Sequence, residues 1–377
     1  MSPYNPLFVV VILLICFVTA HLLGTKLIQF NHSNRFESID GLRGLLAVFV
    51  FIHHSNIWYT YLKTGKWVAP ESNLFNQIGQ TSVALFFMIS SYLFVHKLIQ
   101  LKEQKINWTQ FYKKRIYRLL PVHLFASLII IVLVFISQNL ELNVSFGKLV
   151  KSIFQLLTFG FFGLKSINDQ SISIFNAGVL WSLPYEWLLY FLLPFFAIFT
   201  SKNRRNYWVF GICLVLVLIS QNNHHYRLPH LASFLGGIIP LVIKKYYPKK
   251  IELNTPLGSV LLLLLLVGVL QFHTSDNYWC KLFISLAFSI VALGNNFFGF
   301  LKLNFLKTLG AISYSTYLLH GLVLYTVFNF VIDISEVAQY SELWYSILIF
   351  AVTPIVIVFS LLSFRFIESP FISLGRK

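Results

Sequence analysis

Charge is what this chain has least of. Of 377 residues, 29 are Lys or Arg and 13 are Asp or Glu, together 11%, against about 25% in ordinary soluble domains. Cysteine occurs three times, at Cys16, Cys213 and Cys280, with no CxxC pair and no Cys/His ligand spacing. A disulfide framework and a structural zinc site are therefore not expected, and no metal centre is assigned. The chain also has no GxSxG nucleophile elbow, no GxxxxGK[ST] phosphate loop and no HExxH helix, so a soluble-type serine hydrolase, an ATPase and a zincin lack support. No Ser/Gly-rich linker, low-complexity tract or internal repeat divides it.

What fills the chain is apolar sequence: 57% hydrophobic and 17% aromatic residues. Windows of about 20 apolar residues mark membrane-crossing helices. They fall at 6–24, 41–59, 79–99, 117–137, 178–200, 207–220, 228–243, 257–272, 280–298, 309–332 and 343–366, an all-α polytopic membrane protein with eleven crossings. A further apolar piece, 146–164, is shorter, carries Lys148 and Lys151, and is broken by Gly160 and Gly163. The loops 97–118, 202–205, 244–250 and 302–307 and the tail from Arg365 are basic, whereas 333–342 is acidic. All the basic loops share the cytoplasmic side only if 146–164 does not cross, which makes it re-entrant or interfacial. The same parity places the N-terminus outside. Residues 1–34 read as an uncleaved anchor helix and linker, since 7–24 lacks the charged start and cleavage site of a signal peptide; residues 35–377 form the main domain. The net charge of +16 lies in short loops and encodes orientation, so nucleic acid is not the implied partner; membrane lipid is, with an anionic cofactor a further possibility on the cytoplasmic side.

Ionisable residues at membrane depth default to a functional reading. Arg43 and His54 share one helix, and eleven residues at about 100° bring them within about 20° of alignment, separated along the axis by about 16 Å. Asp40, three residues before Arg43, offers a plain ion pair as the alternative. His54 is either a packed core histidine or an acid/base group, and His53, about 100° round the helix, points elsewhere. Arg115 and Arg118, in KKRIYRLLP, present two guanidinium forks on one face, a phosphate-binding arrangement; the alternative is a positive-inside anchor. Glu186, in WSLPYEW, is about 8 Å below Trp181. That depth matches His54, which a carboxylate would orient and make more basic. Ser313, Tyr317 and His320 share the segment SYSTYLLH, where hydroxyls either glue helices or bind substrate. Ser90 and Ser91, in FFMISSYL, read as packing residues. His224, His225 and His230 cluster by an outer loop, and Trp58, Tyr59, Tyr61 and Trp67 with Lys63 and Lys66 form either an outer sugar platform or an interfacial aromatic belt.

Taken in order, IDGLRG (39–44) with its Arg43 to His54 spacing, FFMISSYL, RIYRLLP, WSLPYE, GAISYSTYLLH and FRFIESP ending at Pro370 resemble the membrane acyltransferase family often called acyltransferase 3. Ser91 stands where that family usually has glycine, and the helix at 7–24 precedes the start of many members. The resemblance implies a core of about ten helices plus an extra N-terminal one, in a standalone form without a fused esterase-like domain, working alone or with a separate periplasmic partner. It implies O-acylation in the bacterial inner membrane: an acyl group, most commonly acetyl, passes from cytoplasmic acyl-CoA to a sugar hydroxyl of a surface polysaccharide or its lipid-linked precursor. Acetyl-CoA is then a substrate, and no cofactor is bound permanently. On that reading Arg115, Arg118, Arg43 and Asp40 form the donor-binding mouth. His54 is general base, oriented by Glu186, with Tyr317 or Ser313 at the oxyanion and His320 in the same site; an acyl-His54 intermediate is the competing route. A secondary transporter or flippase is the rival class.

Overall fold

A computed structural model describes residues 1–28, 36–101, 106–200, 207–223, 226–247, 253–332 and 341–376. The loops at 202–205 and 333–340, and His224 and His225, lie outside the described residues. The helices are α1 (Pro6–Leu27), α2 (Glu37–Thr64), α3 (Asn73–Gln100), α4 (Trp108–Ser137), α5 (Phe146–Leu157), α6 (Ile172–Phe175), α7 (Leu183–Thr200), α8 (Tyr207–Asn223), α9 (Leu228–Gly236), α10 (Ile239–Tyr246), α11 (Pro256–Val269), α12 (Tyr278–Ala292), α13 (Asn304–Ala311), α14 (Ser313–Thr326), α15 (Glu342–Ser363) and α16 (Ser369–Leu374). A two-residue hairpin, Ser166–Ile167 against Gln170–Ser171, is the strand content of the described residues. In hydrocarbon every backbone polar group must be satisfied within its own segment, which is why the apolar runs fold as helices.

Helices lie in all eleven windows, but 228–243 is divided between α9 and α10, 309–332 between α13 and α14, and in 280–298 the helix stops at Ala292. Among the described residues six are long and apolar enough to cross a membrane, seven if α13 and α14, bent by 70° at Ile312, count as one. Helix α2 has the length, 28 residues, and is depleted in apolarity by Arg43, His53, His54, Ser55 and Asn56. Its partners explain where those polar residues go: α2 packs along α3, α13 and α14 at the centre of the bundle. Helix α1 lies against α13 and α15 on one flank, while α9 and α12 cover the far side of α3. We call the end carrying the Lys97 to Arg118 loop inner and the opposite end outer.

The segment after α4 is re-entrant. At 12 residues, α5 rises about 18 Å, too little to cross. His123, halfway along α4, donates from Nε2 to the Leu156 carbonyl at 2.8 Å and stacks on Phe159 at 4.2 Å, so α5 dips to mid-bundle depth. The chain turns there through left-handed Phe159, Gly160 and Gly163. It returns outward to Asn168, which is bonded to the Gln138 side chain, the Glu141 carbonyl and the Asn143 amide beyond the end of α4. A second descent brings Asn176 and Ala177 against Gly321 so closely that a Cβ there would overlap their backbone. Helix α7 therefore begins deep, its preceding residue Ser182 bonded to Tyr317 at 2.7 Å.

Ser91 is accommodated from the opposite side. Its hydroxyl donates to the Met88 carbonyl at 3.0 Å, and the facing residue is Gly237, at which any side chain would strike Met88 and Ser91. The space that a glycine on α3 would leave is supplied between α9 and α10.

Candidate functional site

Helices α2, α3, α4, α7 and α14 enclose a cleft of about 880 Å³, its open mouth included, within the range of small-molecule sites. Arg43, Arg115 and Arg118 line it with Glu186, Tyr190 and Ser313, and Val83, Phe86, Ser182 and Tyr317 line it as well. The Arg43 segment is placed by glycine. A Cβ on Gly41 would overlap the Leu301 carbonyl, and one on Gly44 would lie 2.6 Å from the Gly310 amide and 2.7 Å from the Leu306 carbonyl. Glu37 and Lys307 close the same interface with a 2.9 Å ion pair. The two glycine faces lie against α13 and its approach, leaving Arg43 between them to reach the cleft.

No hydrogen bond or ion pair among the described residues engages the Arg43 or Arg118 guanidinium, and the Arg115 Nε has no partner. Asp40 attracts Arg43 electrostatically without closing an ion pair within 4 Å, so the local-pair alternative for Arg43 is not what the side chain does. Arg115 lies over the Phe94 ring at 5.1 Å, a cation–π contact that fixes its direction. Two guanidinium groups without partners and a third with a free Nε face this cleft, donors of the kind that hold anions.

Glu186 departs from expectation. Its carboxylate accepts from the Tyr190 hydroxyl, and its charge is felt by Arg43 and Arg115. It sits at the Arg43 level because the re-entrant segment delivers α7 at mid-depth, so the 8 Å offset from Trp181 does not start at the membrane surface. The group that orients His54 is His320. Nδ1 of His54 lies 3.0 Å from Nε2 of His320, the rings stacked at 5.1 Å, and Nδ1 of His320 lies 2.9 Å from the Thr316 carbonyl. A carbonyl only accepts, so His320 carries its hydrogen on Nδ1, its bare Nε2 accepts from Nδ1–H of His54, and His54 keeps a lone pair on Nε2. His320 is fully buried, whereas His54 retains partial exposure. His53 is structural: its Nδ1 donates to the Phe75 carbonyl at 2.8 Å, with its ring against Gly79.

The hydroxyls divide. Tyr317 and Ser182 share one hydrogen bond, and both reach the Val179 carbonyl, at 3.2 and 3.1 Å. Between them the two hydroxyl hydrogens are spent on that carbonyl and on each other, so Tyr317 has no free donor for an oxyanion in this state. Ser313, without a hydrogen-bond partner, has one, but it faces the arginine end of the cleft, seven residues before His320. Two residues given no role from sequence belong here. Tyr190 couples Glu186 to the arginines. Glu368, fully buried in the π-helical turn Phe364–Glu368, accepts from Ser315 at 2.9 Å and attracts Arg118 and Arg43. The acidic letter in FRFIESP was the signal for it. Trp58 is no sugar platform: it is fully buried, stacked on Phe328 at 4.9 Å and edge-on to Trp67, and Tyr59 is buried beside Tyr345.

Residues 36–364 match the family model described as an acyltransferase domain. The chain is 25% identical over 391 aligned residues to the O-acetyltransferase OatA of Staphylococcus aureus strain NCTC 8325, covering 93% of this chain and 60% of that protein. It is 24% identical over 382 residues to a putative O-acetyltransferase, SACOL0978, of Staphylococcus aureus strain COL, covering 93% and 59%. The chain thus spans about three-fifths of the length of these relatives. No solved structure matches it.

Proposed function

Because this chain belongs to the acyltransferase domain family, we propose that it is a multi-pass membrane O-acyltransferase, moving an acyl group, acetyl by preference, from acyl-CoA to a sugar hydroxyl of a surface glycan or its lipid-linked precursor in the bacterial inner membrane. The observation that carries the reading is the juxtaposition of an arginine-lined cleft with a histidine pair behind Tyr317, a cleft residue whose ring lies 6.5 Å from that of His320. The pyrophosphate and 3′-phosphate of CoA would be received by the unpaired guanidinium groups of Arg43 and Arg118 and the free Nε of Arg115, and the thioester arm would then run along the cleft towards Tyr317 and His54.

His54 acts through Nε2. It takes the proton of the acceptor hydroxyl as that oxygen attacks the thioester carbonyl, and the C–S bond breaks as the tetrahedral intermediate collapses. The departing thiolate takes the same proton back from His54. His320 holds the imidazole by Nδ1 and turns a lone pair towards it, stabilising the imidazolium that forms transiently. Tyr317 serves the oxyanion by exchanging its bond to the Val179 carbonyl for one to the substrate. Glu186 and Glu368 offset the arginine charge in the empty cleft and position the forks.

The test uses the purified full chain with acetyl-CoA and its surface glycan. Free thiol should appear only when glycan is present. Arg118→Ala should raise the KM for acetyl-CoA by about 10- to 100-fold, the worth of one charge-assisted contact of roughly 1.5–3 kcal/mol. Glycan movement across vesicles without thiol release would move the chain to the transporter class.

A further inference from the structure

The donor cleft and the histidine pair are separate spaces that meet at Tyr317. Among the described residues neither His54 nor His320 lines the cleft, whereas Tyr317 does, and its ring lies 6.0 Å from that of Phe86 and 6.5 Å from that of His320. The ring is held by its hydroxyl. That oxygen is 2.7 Å from Ser182 Oγ and 3.2 Å from the Val179 carbonyl, which Ser182 also reaches, at 3.1 Å. Helix α14 is thereby latched to the turn Val179–Ser182, which precedes α7 and is entered through left-handed Gly178. A bond between two neutral hydroxyls is of the weaker kind, so the latch can part and remake within a catalytic cycle.

A thioester beside an imidazole base needs such a barrier. His54 retains partial exposure, and with water as the attacking group the same base gives hydrolysis. The water oxygen adds to the carbonyl, His54 takes its proton, the C–S bond breaks and the thiolate recovers that proton, leaving free acid and CoA. Transfer to a sugar requires that this side reaction be shut out until the acceptor is in place. We propose that the Tyr317–Ser182 bond is a door between the donor cleft and His54, and that Ser182 is the positioning residue through which sugar wins over water. Closed, the door keeps the acyl group from the base. Open, it frees the Tyr317 hydroxyl for the oxyanion as the base is reached. Its purpose rests on the acyl-transfer reading, and its existence does not.

Two measurements on the full chain test it. Given acetyl-CoA and no glycan, wild type should release little thiol, and Ser182→Ala should release it about fivefold to tenfold faster, the shift expected when a two-state door loses one hydrogen bond. Ser182→Thr, which keeps the hydroxyl, should return to the wild-type rate, and His54→Ala added to Ser182→Ala should abolish the gain. The second measurement uses no acyl group. His54→Cys is placed in inside-out vesicles with glutathione trapped in the lumen, and a sulfonated, membrane-impermeant maleimide is added on the inner side. The three native cysteines are buried, and the chain without His54→Cys supplies the background. Modification of the introduced thiol should be about fivefold to tenfold faster with Ser182→Ala, and faster still with Tyr317→Phe, which also gives up the Val179 carbonyl. Equal modification in all three backgrounds overturns the door, whatever the reaction is. Faster modification, with glycan-dependent thiol release in wild type but no gain in Ser182→Ala, overturns the role given to Ser182. Faster modification with no thiol release from any form upholds the door and counts against acyl-CoA as the donor.

Discussion

His54→Ala should lower acyl transfer by about 10²–10⁴-fold, the contribution of a positioned general base. The measurement is proton NMR of the surface glycan from cells lacking this chain, complemented with wild type or variant at matched membrane levels. Wild type should restore the acyl signal and His54→Ala should not. The neighbouring substitution separates chemistry from packing. His53 is tied to the Phe75 carbonyl and pressed against Gly79, so His53→Ala should cost stability yet leave turnover per folded molecule near wild type. His320→Ala should fall between these limits, because it leaves the base in place but removes the lone pair that fixes its tautomer. Full restoration by His54→Ala would take this residue out of the mechanism.

Gly41→Ala should destabilise the folded chain by about 3 kcal/mol or more, at the upper end for overpacking. The atom a new methyl would meet is the Leu301 backbone carbonyl, which cannot swing aside as a side chain would, so α2 must lift from the approach to α13. Gly44→Ala meets the Gly310 amide at 2.6 Å and the Leu306 carbonyl at 2.7 Å and should behave alike. Thermal unfolding in detergent, read by retention of the monodisperse peak after heating, should show both variants lost at lower temperature than wild type. Wild-type stability in both would mean that the helices are not in backbone contact there. Lifting α2 also withdraws Arg43, so any folded remainder should show a raised KM for acyl-CoA.

Sequence periodicity was enough to find the helices, the arginine pair of α4 and the alignment of Arg43 with His54, because each of these is local. A fork three residues along a helix and a pair eleven residues along one require no knowledge of tertiary structure. The depth of Glu186 was not legible, because it is set by a double descent from α5 to Ser182 that depends on His123, Asn168 and Gly321, residues far apart in the chain. Trp58 failed for a related reason. An aromatic residue near a helix end reads as interfacial until the neighbouring chain, here Phe328, is known to cover it. The pairing of His54 with His320 joins residues 266 positions apart. Both histidines were visible in sequence, and their partnership was not.

The bend at Ile312 and the contact at Gly321 also set an order of biogenesis. His54 is among the first residues made, but the carbonyl-anchored imidazole that fixes its tautomer arrives only with α14, and the Asn176 turn has nothing to seat against before then. A nascent chain that ends at α12 lacks the contacts of Leu301, Leu306 and Gly310 that seat the Arg43 segment, as well as the histidine pair. On the proposed reading, the site is completed only near the end of translation, because a product stopping short of residue 313 lacks both His320 and the α14 wall of the cleft.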